Sequence, residues 1–216
     1  MVSYGRTSNG AAVFRGKENM ARDEASSSIP QAVRDALPAP ADIMLTGEVG
    51  DPMVKSFLDQ LEKVRGKDGD IVVCCTTPGG DAEMARRIVL ELEQLSSSAT
   101  AEVYFLGKSV VYSAGVSIMS AFPCSHRFLT RDTMLLIHGR QMTDTIEIDG
   151  PIRAAKKRVE ALLHQIEVGM ELEVSGFERL VRGSRLSVDE LLEKGGNNWY
   201  LNAQEAVERK LVAGIL

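Results

Sequence analysis

From residue 42 to residue 138 the chain alternates short apolar runs with amphipathic stretches, and this alternation restricts the folds open to it more than any other feature. "DIMLTG" (42–47), "DIVVCCT" (70–76), "AEVYFLG" (101–107), "HRFLT" (126–130) and "MLLIH" (134–138) have strand length. The run at 70–76 is apolar almost throughout, as in a strand buried on both faces. Between the first strands, Val54, Phe57, Leu58, Leu61 and Val64 share one helical face, and Met84, Ala85, Ile88, Val89, Leu92 and Leu95 share another. Asp51 and Pro52 read as the N-cap and first-turn proline of the earlier helix. Strand–helix–strand units cross over with a right hand, so the reading is an α/β fold built on a mainly parallel core sheet.

After residue 150 the pattern turns helical. Pro151 opens a long amphipathic helix, expected to run to about 174, with Ile152, Ala155, Val159, Leu162, Leu163, Ile166 and Met170 on one stripe. A helix of that length tends to project and to pack against another subunit. Ser187 with Glu190 forms a capping-box pattern, and Asn202 with Glu205 is placed to cap the last helix. Residues 1–40 are polar, carry "EASSS" and "LPAPAD", and read as a flexible or processed extension. One short helix fits "IPQAVRDAL" within it. Residues 41–216 are then the folded domain.

The totals remove several function classes. A net charge of −5 leaves no basic footprint for nucleic acid. The apolar runs are too short to span a bilayer, and the N-terminus lacks a signal-peptide core, so a cytoplasmic location is expected. Cys74, Cys75 and Cys124 read as reduced thiols with no zinc spacing. No phosphate-binding GxxxxGK[ST] loop is present, so any ATP use belongs to another polypeptide, and no cofactor is expected.

Three places can carry chemistry. In "TTPGGD" (76–81), Pro78 stiffens a turn in which Gly79 and Gly80 allow close backbone approach. In "YSAG", Ser113 stands between a strand and a helix. A serine there ordinarily caps the helix, but a tight strand-to-helix turn also suits a nucleophile. In "LLIHG", His138 closes an apolar strand and needs a polar partner.

Together and in this order, these segments resemble the proteolytic subunit of the ATP-dependent Clp protease. "IMLTGEVGD" is similar to that family's opening strand, "TTPGGD" to its SPGG segment, and "GKSVVYSAG" to the stretch ending in its nucleophile. "MLLIHG" is similar to its MIHQP segment and "NNWYLNAQEAVERKLVAGIL" to its C-terminal segment. The resemblance covers about residues 42–216. It implies the ClpP/crotonase fold of stacked βαβ units, with a handle region at about 139–175 and a C-terminal helical segment. It implies a serine endopeptidase with Ser113 as nucleophile and His138 as general base. The amides of Gly79 and Ala114 are then the oxyanion donors, with Gly80 shaping the loop. It also implies homo-oligomeric rings that stack, peptide or unfolded-protein substrates, and an AAA+ unfoldase partner.

Two departures stand out. The family's aspartate falls on Asn198, which offers a hydrogen bond but no charge. In a serine protease that exchange can lower kcat by roughly 10⁴. Three outcomes stay open: Asp132, Asp144 or Asp149 takes the place, Asn198 supports slow turnover, or the chain is a weak or inactive ring subunit or scaffold. The second departure is "QMTDTIEIDG", which lacks the family's glycine-rich strand. His126 and His164 match no functional position. Crotonase-type chemistry on acyl-CoA thioesters is the remaining alternative within the same fold.

Overall fold

The computed structural model describes residues 29–147 and 149–216. In chain order the elements are α1 (Gln31–Asp35), β1 (Ile43–Thr46), α2 (Asp51–Val64), β2 (Ile71–Thr77), α3 (Ala82–Ser98), β3 (Val103–Tyr112) and α4 (Ala114–Met119). Then come β4 (Arg127–Leu129), β5 (Met134–Ile137), α5 (Ile152–Val181), α6 (Val188–Gly195), β6 (Trp199–Asn202), α7 (Ala203–Glu208) and β7 (Gly214–Ile215). The sheet runs β1-β2-β3-β4-β7 with all neighbours parallel, as the alternating pattern predicts.

The strand β3 decides where the site lies. It is longer than the expected 101–107 and serves two neighbours in succession. Phe105–Gly107 pair with β4, and Val110–Tyr112 pair with β5. Between them Ser109 takes φ +61°, and the register of β2 shifts opposite, between Cys75 and Thr77. The sheet therefore forks, and the C-terminal half of β3 carries Ser113 alongside the end of β5. β6, which the sequence pattern did not reveal, adds antiparallel to β5.

The main core lies on the helical face, where Phe57, Leu61, Ile88, Leu92, Phe105, Ile118 and Met119 are buried. A second cluster fills the other face: Ile29, Val33 and Ala36 pack with Val72, Tyr104, Leu106 and Phe128. β2 is thus buried on both sides, and burial pushes the Cys74 thiol up. Part of the segment expected as an N-terminal extension is core. Its alternation is short because α1 spans only five residues, so composition alone hid it. The expectation of a flexible or processed arm otherwise falls on residues outside the described ones.

Several boundaries differ. Gly50 is the N-cap of α2, and Asp51 lies in its first turn. Helix α5 continues to Val181, past the expected end near 174. Its apolar stripe is present but faces outward: Ile152, Val159, Leu163, Ile166 and Met170 are exposed, and only Ala155 and Leu180 are buried. The C-terminal end of α5 is anchored by Arg127, a buried cation whose Nη1 donates to Leu180 O at 2.8 Å and whose Nε donates to Phe122 O at 2.8 Å. Burial lowers its pKa, since desolvation disfavours the charged form. The expected caps at Ser187 and Asn202 are present, the latter as a full capping box.

Candidate active site

Ser113 sits on the turn between β3 and α4 with φ +53° and ψ −111°. A non-glycine residue there stores strain of about 1–3 kcal/mol. The turn is held by Ser113 N–H donating to Leu136 O at 2.8 Å, which extends the β3–β5 ladder by one bond. Its hydroxyl makes no capping hydrogen bond, so helix capping does not account for the residue. Two small residues let the turn pack. A Cβ at Gly115 would overlap the Thr77 side chain, and one at Gly79 would stand 3.0 Å from Ser113 Cβ and 3.1 Å from Tyr112 O.

The double-glycine turn takes positive φ at both residues, +105° and +142°. It is tied to the loop after β1: Val49 N–H donates to Gly79 O, and Asp81 N–H donates to Val49 O, each at 2.8 Å. These bonds leave the Gly80 amide outside the bridge. The Gly79 amide, expected as an oxyanion donor, instead donates to Thr77 Oγ1 at 3.1 Å. The physical reason is that Thr77 is fully buried and its hydroxyl needs a partner within the turn. Ala114, as the first residue of α4, has an amide with no intrahelical acceptor. Asp81 caps α3, accepting from Glu83 N–H at 2.7 Å and Met84 N–H at 3.0 Å.

Parallel pairing of Tyr112 with Leu136 brings position 113 beside position 137, and His138 follows directly. Ser113 and His138 line one cavity of about 560 Å³ together with Gly80 and Ala114. The ring Nδ1 of His138 lies 2.6 Å from Gly139 O. Among the described residues no hydrogen bond joins Ser113 Oγ to the ring, and such bonds commonly tighten only when substrate binds.

The Clp protease family model matches residues 27–216. The chain belongs to the Clp protease family. The match begins ahead of Ile29, in agreement with the packing of Ile29, Val33 and Ala36 on the sheet. No curated protein matches the chain. Membership brings the general expectation of a serine peptidase that assembles into oligomers, on the mixed sheet described above. Among the described residues no helix is long and apolar enough to cross a membrane.

For a Clp family member the carboxylate side departs from expectation. Asn198 is exposed, takes φ +56°, and does not line the cavity; its amide donates to Gly195 O at 3.4 Å. None of the three aspartates considered for its place reaches the cavity either. Asp132 precedes β5, at the end opposite His138, and accepts from Thr130 Oγ1 at 2.9 Å. Asp144 and Asp149 are exposed and accept from the next residues' amides, each at 2.7 Å. The carboxylates that do line the cavity are Asp81, Glu83 and Glu173. Glu173 escaped the sequence reading because it lies near the point where α5 was expected to end. Its signal is the continued inward face Leu172, Gly176, Phe177 and Leu180. His126 pairs with Val103 O, at 3.2 Å, and packs at a tilt against Tyr104; His164 is exposed on α5 beside Glu167.

Proposed function

We propose that this Clp family member is a serine endopeptidase that cleaves peptide or unfolded-protein substrates inside an oligomeric chamber. Ser113 attacks the scissile carbonyl, and His138 takes its proton through Nε2. The amides of Ala114 and Gly80 receive the oxyanion, while Gly79 gives the loop its close approach to the serine. A serine hydroxyl is a weak nucleophile without a base, and the tetrahedral oxyanion needs donors already in place. The observation that carries the reading is a strained Ser113, its hydroxyl free of any capping bond, lining the same cavity as His138. The outward apolar stripe of α5 supports homo-oligomeric rings, stacked through this handle. Our reading also takes an AAA+ unfoldase as the ATP-using partner and a cytoplasmic location, on the pattern of the family. The same placement of groups in the cavity gives no reason to prefer an acyl-CoA thioester.

A fluorophosphonate probe tests the nucleophile. Wild type is labelled and Ser113→Ala is not; equal labelling of both removes Ser113 from the role. The exposure of Asn198 favours one second reading, a weak or inactive ring subunit. That reading is chosen if the intact oligomer takes up no probe and hydrolyses no peptide.

A further inference from the structure

The segment His138–Arg140 holds a connection that the Ser–His–Asn reading does not use. His138 Nδ1 is 2.6 Å from Gly139 O. A carbonyl oxygen only accepts, so Nδ1 carries the hydrogen, and in the neutral ring Nε2 keeps a free lone pair. That is the tautomer a general base needs. The Gly139 carbonyl and the Arg140 amide are the two ends of one planar peptide group. On the far side of that group, Arg140 N–H donates to Glu173 Oε2 of helix α5. A side-chain carbon at position 139 would stand 3.2 Å from the same oxygen, so Glu173 packs directly on this peptide.

The neighbouring contacts hold the segment on either side of this peptide. Gly139 N–H donates to Gly195 O at 3.1 Å, at the C-terminal end of α6. The Arg140 guanidinium pairs with Glu83 of α3, which draws its charge away from Glu173. Among the described residues Glu173 has no cationic side chain in salt-bridge contact, so its charge acts mainly on the Arg140 amide. A carboxylate accepting from a peptide N–H polarises that group and makes its carbonyl oxygen a stronger acceptor.

We propose that Glu173 is the positioning residue for His138, acting through the 139–140 peptide group in place of the charge that Asn198 lacks. The proposal rests on the reading of Ser113 and His138 as nucleophile and base. It explains how an exposed asparagine at 198 is compatible with an oriented imidazole.

Two variants of the full chain separate charge from geometry. Glu173→Gln keeps an acceptor oxygen and loses the charge, and Glu173→Ala loses both. In ¹⁵N-histidine spectra of the assembled protein, wild-type His138 shows the Nδ1–H tautomer. The Nε2–H form grows in Glu173→Gln and more so in Glu173→Ala. In peptide hydrolysis kcat falls by about tenfold and about a hundredfold respectively, with KM unchanged, the size expected for hydrogen bonds involving a charged group. An unchanged His138 tautomer in both variants overturns the role of Glu173. Fluorophosphonate labelling of wild type is read separately, so a failed nucleophile is not mistaken for a failed positioning residue.

Discussion

The two walls of the cavity, one carrying the proposed nucleophile Ser113 and the other the proposed base His138, are built differently. The nucleophile wall is backbone against backbone: Gly79 lies against Ser113, Gly80 bridges to Val49, and Ser113 N–H completes the ladder to Leu136. The base wall is assembled from distant pieces. His138 leans on its own neighbour's carbonyl, α6 offers Gly195 O, and α5 reaches in with Glu173. A nucleophile on a strained turn needs rigid local support, whereas a base needs only its tautomer and direction fixed. The first wall is therefore expected to tolerate little change, and the second more.

The comparison yields predictions in falling order of size. Gly80→Ala attacks the rigid wall. A Cβ there would overlap Val49 O and stand 2.8 Å from Val49 N, at a φ of +142°. Backbone cannot give way as a side-chain tip can. Chemical denaturation is expected to show a loss of roughly 3 kcal/mol, and hydrolysis to fall about a thousandfold. A variant with wild-type stability and rate means that this wall is not rigid.

The base wall is expected to yield less. Glu190 on α6 accepts from Lys194 at 2.5 Å and from Arg209 at 2.9 Å, and both cations lie over the Trp199 ring. The hydrogen bond from Lys194 holds the Glu190 carboxyl below the usual range. A depressed carboxylate contributes stability above its unfolded pKa and loses it as pH falls through the folded value. Glu190→Gln is expected to destabilise by under about 1 kcal/mol at neutral pH, followed by Trp199 fluorescence. The gap from wild type closes in acid; a gap that persists there assigns the effect to packing.

Asn198→Asp is expected to do least. The residue is exposed and outside the cavity, so peptide kcat stays within about twofold of wild type. A rise of tenfold or more would put the new carboxylate on His138 and return the base wall to the family's arrangement.

Much of the nucleophile wall was legible because its residues are close in sequence to the turns that place them. "PGG" and "YSAG" signal special backbone, and the strand alternation puts both at strand ends. The base wall was less so. "LLIHG" marks His138, but the partner of its ring is a main-chain carbonyl, which no residue type advertises. Glu173 is one of five glutamates on a helix read as a projecting handle that packs against another subunit. The three aspartates nearest His138 in sequence all lie outside the cavity. The use of Gly79 N–H by Thr77 was equally hidden, since a buried hydroxyl takes whichever amide the turn brings to it.

The sequence by itself determined the alternating elements, the mainly parallel sheet and the positions of Ser113 and His138 at strand ends. Apolar periodicity and glycine placement act over a few residues and need no long-range partner. Only the tertiary structure decided that β3 forks between β4 and β5, that Ile29–Ala36 close the second face, and that Glu173 meets the peptide beside His138. Those outcomes depend on how separate elements pack, and burial and hydrogen-bond satisfaction choose among partners that are far apart in the chain.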